Sequence, residues 1–217
     1  MRGKLEGARR RVSFALLLSL PVLAAAVAAG VTSAPPAQAE VKPCSELYRL
    51  GPKGKAPGYR KPPLLVGDSV VGYAMEPLRK LGYRINAQGC RTFPRGIRAI
   101  KDEAKKRKLP KLIVVALGTA GNVKPQNIKR LLDFIGPKRK LVLVTPRKFG
   151  GRTFKGGIDP DAKDFHRAAE KYPDRVFVVP WAEFSDPHPE WFYPDKVHPN
   201  PEGQKYFVDL LEAALYV

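Results

Sequence analysis

Five short apolar runs recur along this chain, each followed by a stretch with helical period, and that alternation constrains the fold more than any other feature. The runs are Leu64-Leu65-Val66, Tyr83 to Ala87, Leu112 to Leu117, Leu141 to Thr145 and Val176 to Val179. Between them, apolar residues return every three or four positions over Val70 to Leu81, Ile97 to Lys108, Ile128 to Phe134 and Ala162 to Tyr172. Unbroken apolar strands are buried on both faces, so helices must cover both sides of the sheet. The pattern predicts a three-layer α/β/α sandwich with a five-stranded parallel sheet. A last helix follows, with Asn200 as its cap and Pro201 in its first turn; Tyr206, Phe207, Leu210, Leu211, Ala214 and Leu215 share one face. There is no internal repeat.

The 217 residues include 22 Pro and 19 Gly, too few for a low-complexity chain, and 44 % are hydrophobic, enough for one ordinary core. That core does not begin at the N-terminus. Arg2, Lys4, Arg9, Arg10 and Arg11 precede an apolar run from Val12 to Val31 that ends near Ala37-Gln38-Ala39. This reads as a cleavable export signal over residues 1–39; the competing reading is a membrane anchor, which Pro21 interrupts. The arginine cluster also suits a twin-arginine route. Residues 40–63 are polar, rich in Gly, Pro and Lys, and read as an extended lead-in; the fold proper spans 64–217. The expected location is therefore secreted or cell-wall associated, with no stable membrane span after cleavage.

Removal of residues 1–39 takes away five basic residues and one acidic one, leaving 34 against 19 and a net charge of +15. Outside a cell such an excess favours anionic wall polymers, acidic polysaccharide or lipid headgroups; solubility alone is the other reading. Nucleic acid is not expected as a partner, because the basic runs Lys101 to Lys111 and Lys138-Arg139-Lys140 lack interleaved aromatic residues. The two cysteines, Cys44 and Cys90, both fall in the exported portion, where a disulfide is the default fate of a thiol pair. A monomer is expected.

In an open parallel sheet the reactive groups belong at the carboxyl ends of the strands. The first run leads into Gly67-Asp68-Ser69, a serine at a strand-to-helix turn; the second into Gly89; the third into Gly118-Thr119-Ala120-Gly121-Asn122. Ahead of the last helix stands Asp195-Lys196-Val197-His198, whose three-residue step lets a carboxylate reach Nδ1 of the imidazole and leaves Nε2 free. Ser69, His198 and Asp195 thus read as nucleophile, general base and orienting acid of an acyl-transfer site. A helix cap, a satisfied histidine and a turn aspartate are the structural alternatives. His166 lies within a helix and His188 between two prolines, so neither competes as the base.

From Leu64 onward the chain resembles the SGNH or GDSL-type hydrolases, a family with a flavodoxin-like α/β fold. Gly67-Asp68-Ser69 matches the nucleophile block, Gly89 the glycine block, and Asp195-Lys196-Val197-His198 with Pro199 to Gly203 the triad block. The resemblance implies an oxyanion hole built from the backbone N–H groups of Ser69 and Gly89 and one asparagine amide. The family's asparagine position is occupied by Ala120, and Asn122 stands two residues on as the expected donor. Nearest in pattern are small extracytoplasmic domains of bacterial cell-wall O-acyltransferases and esterases, suggested by Leu117-Gly118-Thr119, Val144 to Arg147 and Trp191 to Asp195. By that resemblance the protein is a serine esterase or acyltransferase handling a short acyl group, such as O-acetyl on a glycan, without metal or cofactor. The rival expectation is a non-catalytic binder of anionic wall polymer on the same scaffold. Trp181, Trp191, Phe192 and Tyr193 are candidates for the floor of a sugar cleft, with core packing as the competing role.

Overall fold

The computed structural model describes residues 44–148 and 159–217. Its centre is a six-stranded sheet: β1 (Leu47–Leu50), β2 (Leu64–Gly67), β3 (Arg84–Gln88), β4 (Leu112–Ala116), β5 (Lys140–Val144) and β6 (Val176–Val179), in spatial order β1-β3-β2-β4-β5-β6. Strands β2 to β6 are mutually parallel and coincide with the five apolar runs. The sixth strand was not expected: β1 pairs antiparallel with the outer edge of β3, inside the segment read as an extended lead-in. Its side chains alternate between exposed and half-buried, so it carries no apolar run to betray it.

Alternation along the buried strands sends side chains to two separate cores. Leu65, Ile85, Val114, Val142 and Val179 pack beneath α1 (Ser69–Tyr73), α2 (Met75–Lys80), α6 (Trp181–Ser185) and α7 (Pro201–Ala213). Leu64, Val66, Ile113, Val115, Leu141 and Leu143 pack on the other face, beneath α3 (Phe93–Lys106), α4 (Pro125–Ile135) and α5 (Pro160–Lys171). These are the three expected layers.

The single helix anticipated over Val70 to Leu81 is two short ones, broken at Ala74. Pro77 explains the break: it lacks the N–H that an uninterrupted helix would direct to Tyr73, yet it is tolerated in the first turn of a new helix. Asn200 caps α7 as the sequence indicates, its side chain accepting from the N–H groups of Glu202 and Gly203 at 3.1 Å.

Cys44 and Cys90 form a disulfide, with Cα atoms 4.7 Å apart, that fastens the start of β1 to the turn after β3. Closing a loop with that sequence separation of 46 stabilises the fold by about 4 kcal/mol in the chain-entropy description. The export-signal expectation and the membrane-anchor alternative fall outside the described residues. No helix among the described residues is long and apolar enough to cross a membrane.

Candidate active site

Gly67 of β2 is in register with Ala87 of β3 and with Ala116 of β4, so Ser69, Gly89 and Gly118, each two residues further on, emerge together at the carboxyl edge of the sheet. At this edge the chain also changes direction: β3 lies on one side of β2 and β4 on the other, which opens a crevice above β2. Asp68, the last residue before α1, caps that helix by accepting from the Val70 N–H at 3.0 Å, which fixes Ser69 at the helix start with its side chain part-buried. Burial pushes the Asp68 carboxyl up to about 6, against the pull of the Val70 N–H, the Thr119 hydroxyl and the His198 imidazole. Its Oδ2 is fully enclosed, with the Thr119 hydroxyl close enough to favour the charge but no well-formed hydrogen bond.

The imidazole arrives from the far end of the chain. Between the 3-10 turn Pro189–Trp191 and α7, the backbone folds into a tight loop in which the Tyr193 N–H donates to the His198 carbonyl at 2.9 Å and the Lys196 N–H to the Tyr193 carbonyl at 2.8 Å. Lys196 takes a left-handed φ of 59° to make the turn. Asp195 accepts from the backbone N–H groups of Val197 and His198 through Oδ1, at 2.9 and 3.0 Å. Its Oδ2 lies 2.6 Å from His198 Nδ1, and His198 Nε2 lies 2.8 Å from Ser69 Oγ. With the Nδ1 proton donated to Asp195, Nε2 is the acceptor for the serine hydroxyl. Partial burial would raise the Asp195 carboxyl, but the His198 and Val197 N–H groups and the imidazole outweigh it and hold the group below the ordinary carboxylate range.

A scan against protein-family models gives no match. Curated relatives do match: O-acetyltransferase OatA of Staphylococcus aureus (strain NCTC 8325 / PS 47) is 34% identical over 155 residues, covering 69% of this chain and 24% of that protein. Among solved structures, the C-terminal catalytic domain of Streptococcus pneumoniae peptidoglycan O-acetyltransferase A, with a methylsulfonyl adduct, superposes with a TM-score of 0.60 at 25% identity, over 73% of this chain and 94% of that domain. A GDSL-like lipase from Bacteroides thetaiotaomicron shares the fold with a TM-score of 0.53 at 17% identity, over 72% of this chain and 88% of that one. The chain belongs to the SGNH/GDSL-type hydrolase family. It spans about a quarter of the length of the curated relatives it matches.

Asn122 is exposed on the loop after β4, and its amide has no hydrogen-bond partner among the described residues. That loop is held from behind: Lys148 Nζ donates to the carbonyls of Gly118 and Gly121 at 2.5 and 2.9 Å and pairs with Asp161 at 2.6 Å, and Asp161 accepts from the Val123 N–H at 2.9 Å. These contacts fix the backbone on both sides of Asn122. Trp181, Trp191 and Phe192 are core residues rather than the floor of a cleft, each at most 7% exposed, because α6 and α7 close over them. Tyr193 alone of that set stays part-exposed at the site.

Sequence reasoning missed three contributors. Tyr73 stacks on the His198 ring at 4.8 Å between centroids and meets Tyr193 at 5.5 Å, giving the imidazole an aromatic wall. Arg147 donates from Nε to the Lys196 carbonyl at 2.8 Å and from Nη1 to the Ser185 carbonyl at 3.2 Å, with its guanidinium 4.2 Å over Phe192. It therefore holds the Asp195–His198 loop against the sheet. The third is the Lys148–Asp161 clamp. Arg91, just after Cys90, is buried and donates to the Gly67 and Asn86 carbonyls, tying the ends of β2 and β3 together; burial lowers its guanidinium to about 10.

Proposed function

We propose that the protein is an exported serine esterase or acyltransferase that removes or transfers a short acyl group, O-acetyl in the first instance, on cell-wall or extracellular glycan. The observation that carries this reading is the continuous 2.6 and 2.8 Å chain from Asp195 through His198 to Ser69. Such a chain activates a hydroxyl that is otherwise a weak nucleophile. The likeness to a peptidoglycan O-acetyltransferase domain supports the substrate class. Export rests on the N-terminal sequence pattern.

Ser69 Oγ attacks the ester carbonyl carbon as His198 Nε2 takes its proton, and Asp195 stabilises the imidazolium that forms. The oxyanion faces the backbone N–H groups of Ser69 and Gly89, which the register brings to one edge. Collapse of the tetrahedral intermediate releases the alcohol, protonated by His198, and leaves an acyl group on Ser69. Water or a sugar hydroxyl, deprotonated in turn by His198, then accepts that group. An asparagine amide joining these two backbone donors would add about two to three orders of magnitude in rate.

A non-catalytic binder of wall polymer is the second reading, favoured by Ala120 and by the exposed Asn122. Turnover of nitrophenyl acetate by the parent and by Ser69→Ala separates the two. The esterase reading expects the variant to fall to the rate of the buffer; equal rates for both proteins would end that reading.

A further inference from the structure

The edge of the sheet opposite the active site carries a feature that hydrolysis does not use. Where the chain enters the parallel strands, two clefts of about 640 and 600 Å³ share Gly58, Tyr59 and Lys111 in their linings. Arg60 and Lys61 precede β2, Lys108 and Lys111 precede β4, and Lys138 and Lys140 lead into β5, so six cations from three crossings line one continuous groove. Among the described residues no Asp or Glu side chain lines either cleft.

Basic residues are expected near helix C-termini, and α3 and α4 both end at this edge. At the end of α4 other side chains already perform that task. Arg139 donates to the Ile135 carbonyl, and Arg175 to the carbonyls of Leu132 and Gly136. The side chains of Arg60, Lys61, Lys108, Lys111 and Lys138, by contrast, make no hydrogen bond or ion pair with any described residue, and Lys140 meets only the face of Phe177, 5.3 Å away. Converging cations with no Asp or Glu among them repel one another, and concave walls focus their field into the groove.

We propose that this groove binds a phosphodiester-linked polyol chain of the cell wall, holding the enzyme on its substrate matrix while the opposite edge stays open for catalysis. Five of the six cations are lysines, compact point charges on flexible stems that can follow a chain of singly charged phosphodiesters. Tyr216, 71% exposed, and the half-buried Tyr59 offer apolar surface to the polyol carbons. A single-stranded nucleic acid requires a succession of stacking faces, and among the described residues these two tyrosines are the only aromatic ones in the lining. The choice of a wall polymer rests on the cell-wall reading of the active site; the groove itself does not.

The test is binding of fluorescently labelled poly(glycerol phosphate) to the purified protein, followed by anisotropy at roughly 50 and 200 mM salt. A variant carrying Lys111→Glu, Lys138→Glu and Lys140→Glu is compared with a control of equal charge change, Lys101→Glu, Lys105→Glu and Lys106→Glu on the outer face of α3. The expected result is at least about a tenfold loss for the groove variant at the lower salt and less than about twofold for the control, with nitrophenyl acetate turnover unchanged in both. A Lys→Gln set at the same three groove positions serves should charge reversal prevent folding, with a loss of about threefold or more expected. Equal losses for groove and control overturn the proposal, as does tighter binding of single-stranded DNA than of the polyol phosphate. Binding is read independently of turnover: an inactive parent whose affinity still depends on the groove overturns the esterase reading alone.

Discussion

His198 Nε2 lies 2.8 Å from Ser69 Oγ although 129 residues of chain separate them. Two independent devices create that distance. The Asp68 cap fixes the serine at the start of α1, and the Arg147 guanidinium anchors the loop that carries the imidazole. Each is open to a separate test.

Arg147→Ala removes the bond to the Lys196 carbonyl and the cover over Phe192 while leaving all three site residues in place. We expect kcat to fall about 10- to 100-fold with KM nearly unchanged, the cost of a displacement near 1 Å. Arg147→Lys should recover little, because a lysine cannot reproduce two donors and a stacked plane together. Steady-state kinetics of the two variants on nitrophenyl acetate provide the check; a change confined to KM would assign Arg147 to substrate binding instead.

Asn122→Ala should lower kcat by less than about threefold, since the amide is exposed and makes no hydrogen bond among the described residues. A working oxyanion donor is worth two to three orders of magnitude. A loss of that size would mean that the loop closes over bound substrate despite its clamp.

The clamp itself is measurable. Lys148→Met leaves the Asp161 carboxylate, 5% exposed, with the Val123 N–H and no cation. Breaking a buried pair in this way costs about 3 kcal/mol or more, and Lys148→Met with Asp161→Asn should cost less than the single change. Urea unfolding of the parent and the two variants gives the values; a single change costing under about 1 kcal/mol would show the pair to be solvated.

The parallel strands and the last helix are legible in the sequence because burial on both faces writes an unbroken apolar run, and because Asn200-Pro201 is a local signal complete in itself. The rest is not legible for definite physical reasons. Strand β1 is half-exposed and only four residues long, so Leu47-Tyr48-Arg49-Leu50 does not stand out from a loop. The Gly-Asp-Ser and Asp-x-x-His patterns mark their residues, but Tyr73, Arg147 and the Lys148–Asp161 pair act through tertiary contacts that no spacing encodes. The aromatic residues near the C-terminus illustrate the converse: Trp181 and Trp191 look functional in a sequence, and α7 buries them. Gly203 shows how close that packing is, since a Cβ there would come within 2.2 Å of the Trp191 carbonyl oxygen.

Asp68 makes stability depend on pH. Its carboxyl is raised by burial to about 6 in the folded protein, above the ordinary aspartate value of 3.8, so the folded state holds the proton longer than the unfolded one. The contribution of this group is therefore largest below about pH 4 and is lost as pH rises through about 6, by ~3 kcal/mol at most. Asp68→Asn keeps an N-cap and removes the titration. The difference in unfolding free energy between parent and variant should shift in favour of the variant from pH 4 to pH 7; a constant difference would show that Asp68 ionises normally in the fold.

The most direct measurement is covalent labelling of the nucleophile. Methanesulfonyl fluoride, which can transfer its sulfonyl group to an activated serine, is incubated with the parent, Ser69→Ala and His198→Ala, and each product is read by intact mass and peptide mapping. The account predicts one methylsulfonyl group on the parent, mapped to Ser69, with none on Ser69→Ala and a greatly slowed reaction on His198→Ala. Labelling of the parent at another residue, or equal labelling of parent and Ser69→Ala, would contradict it.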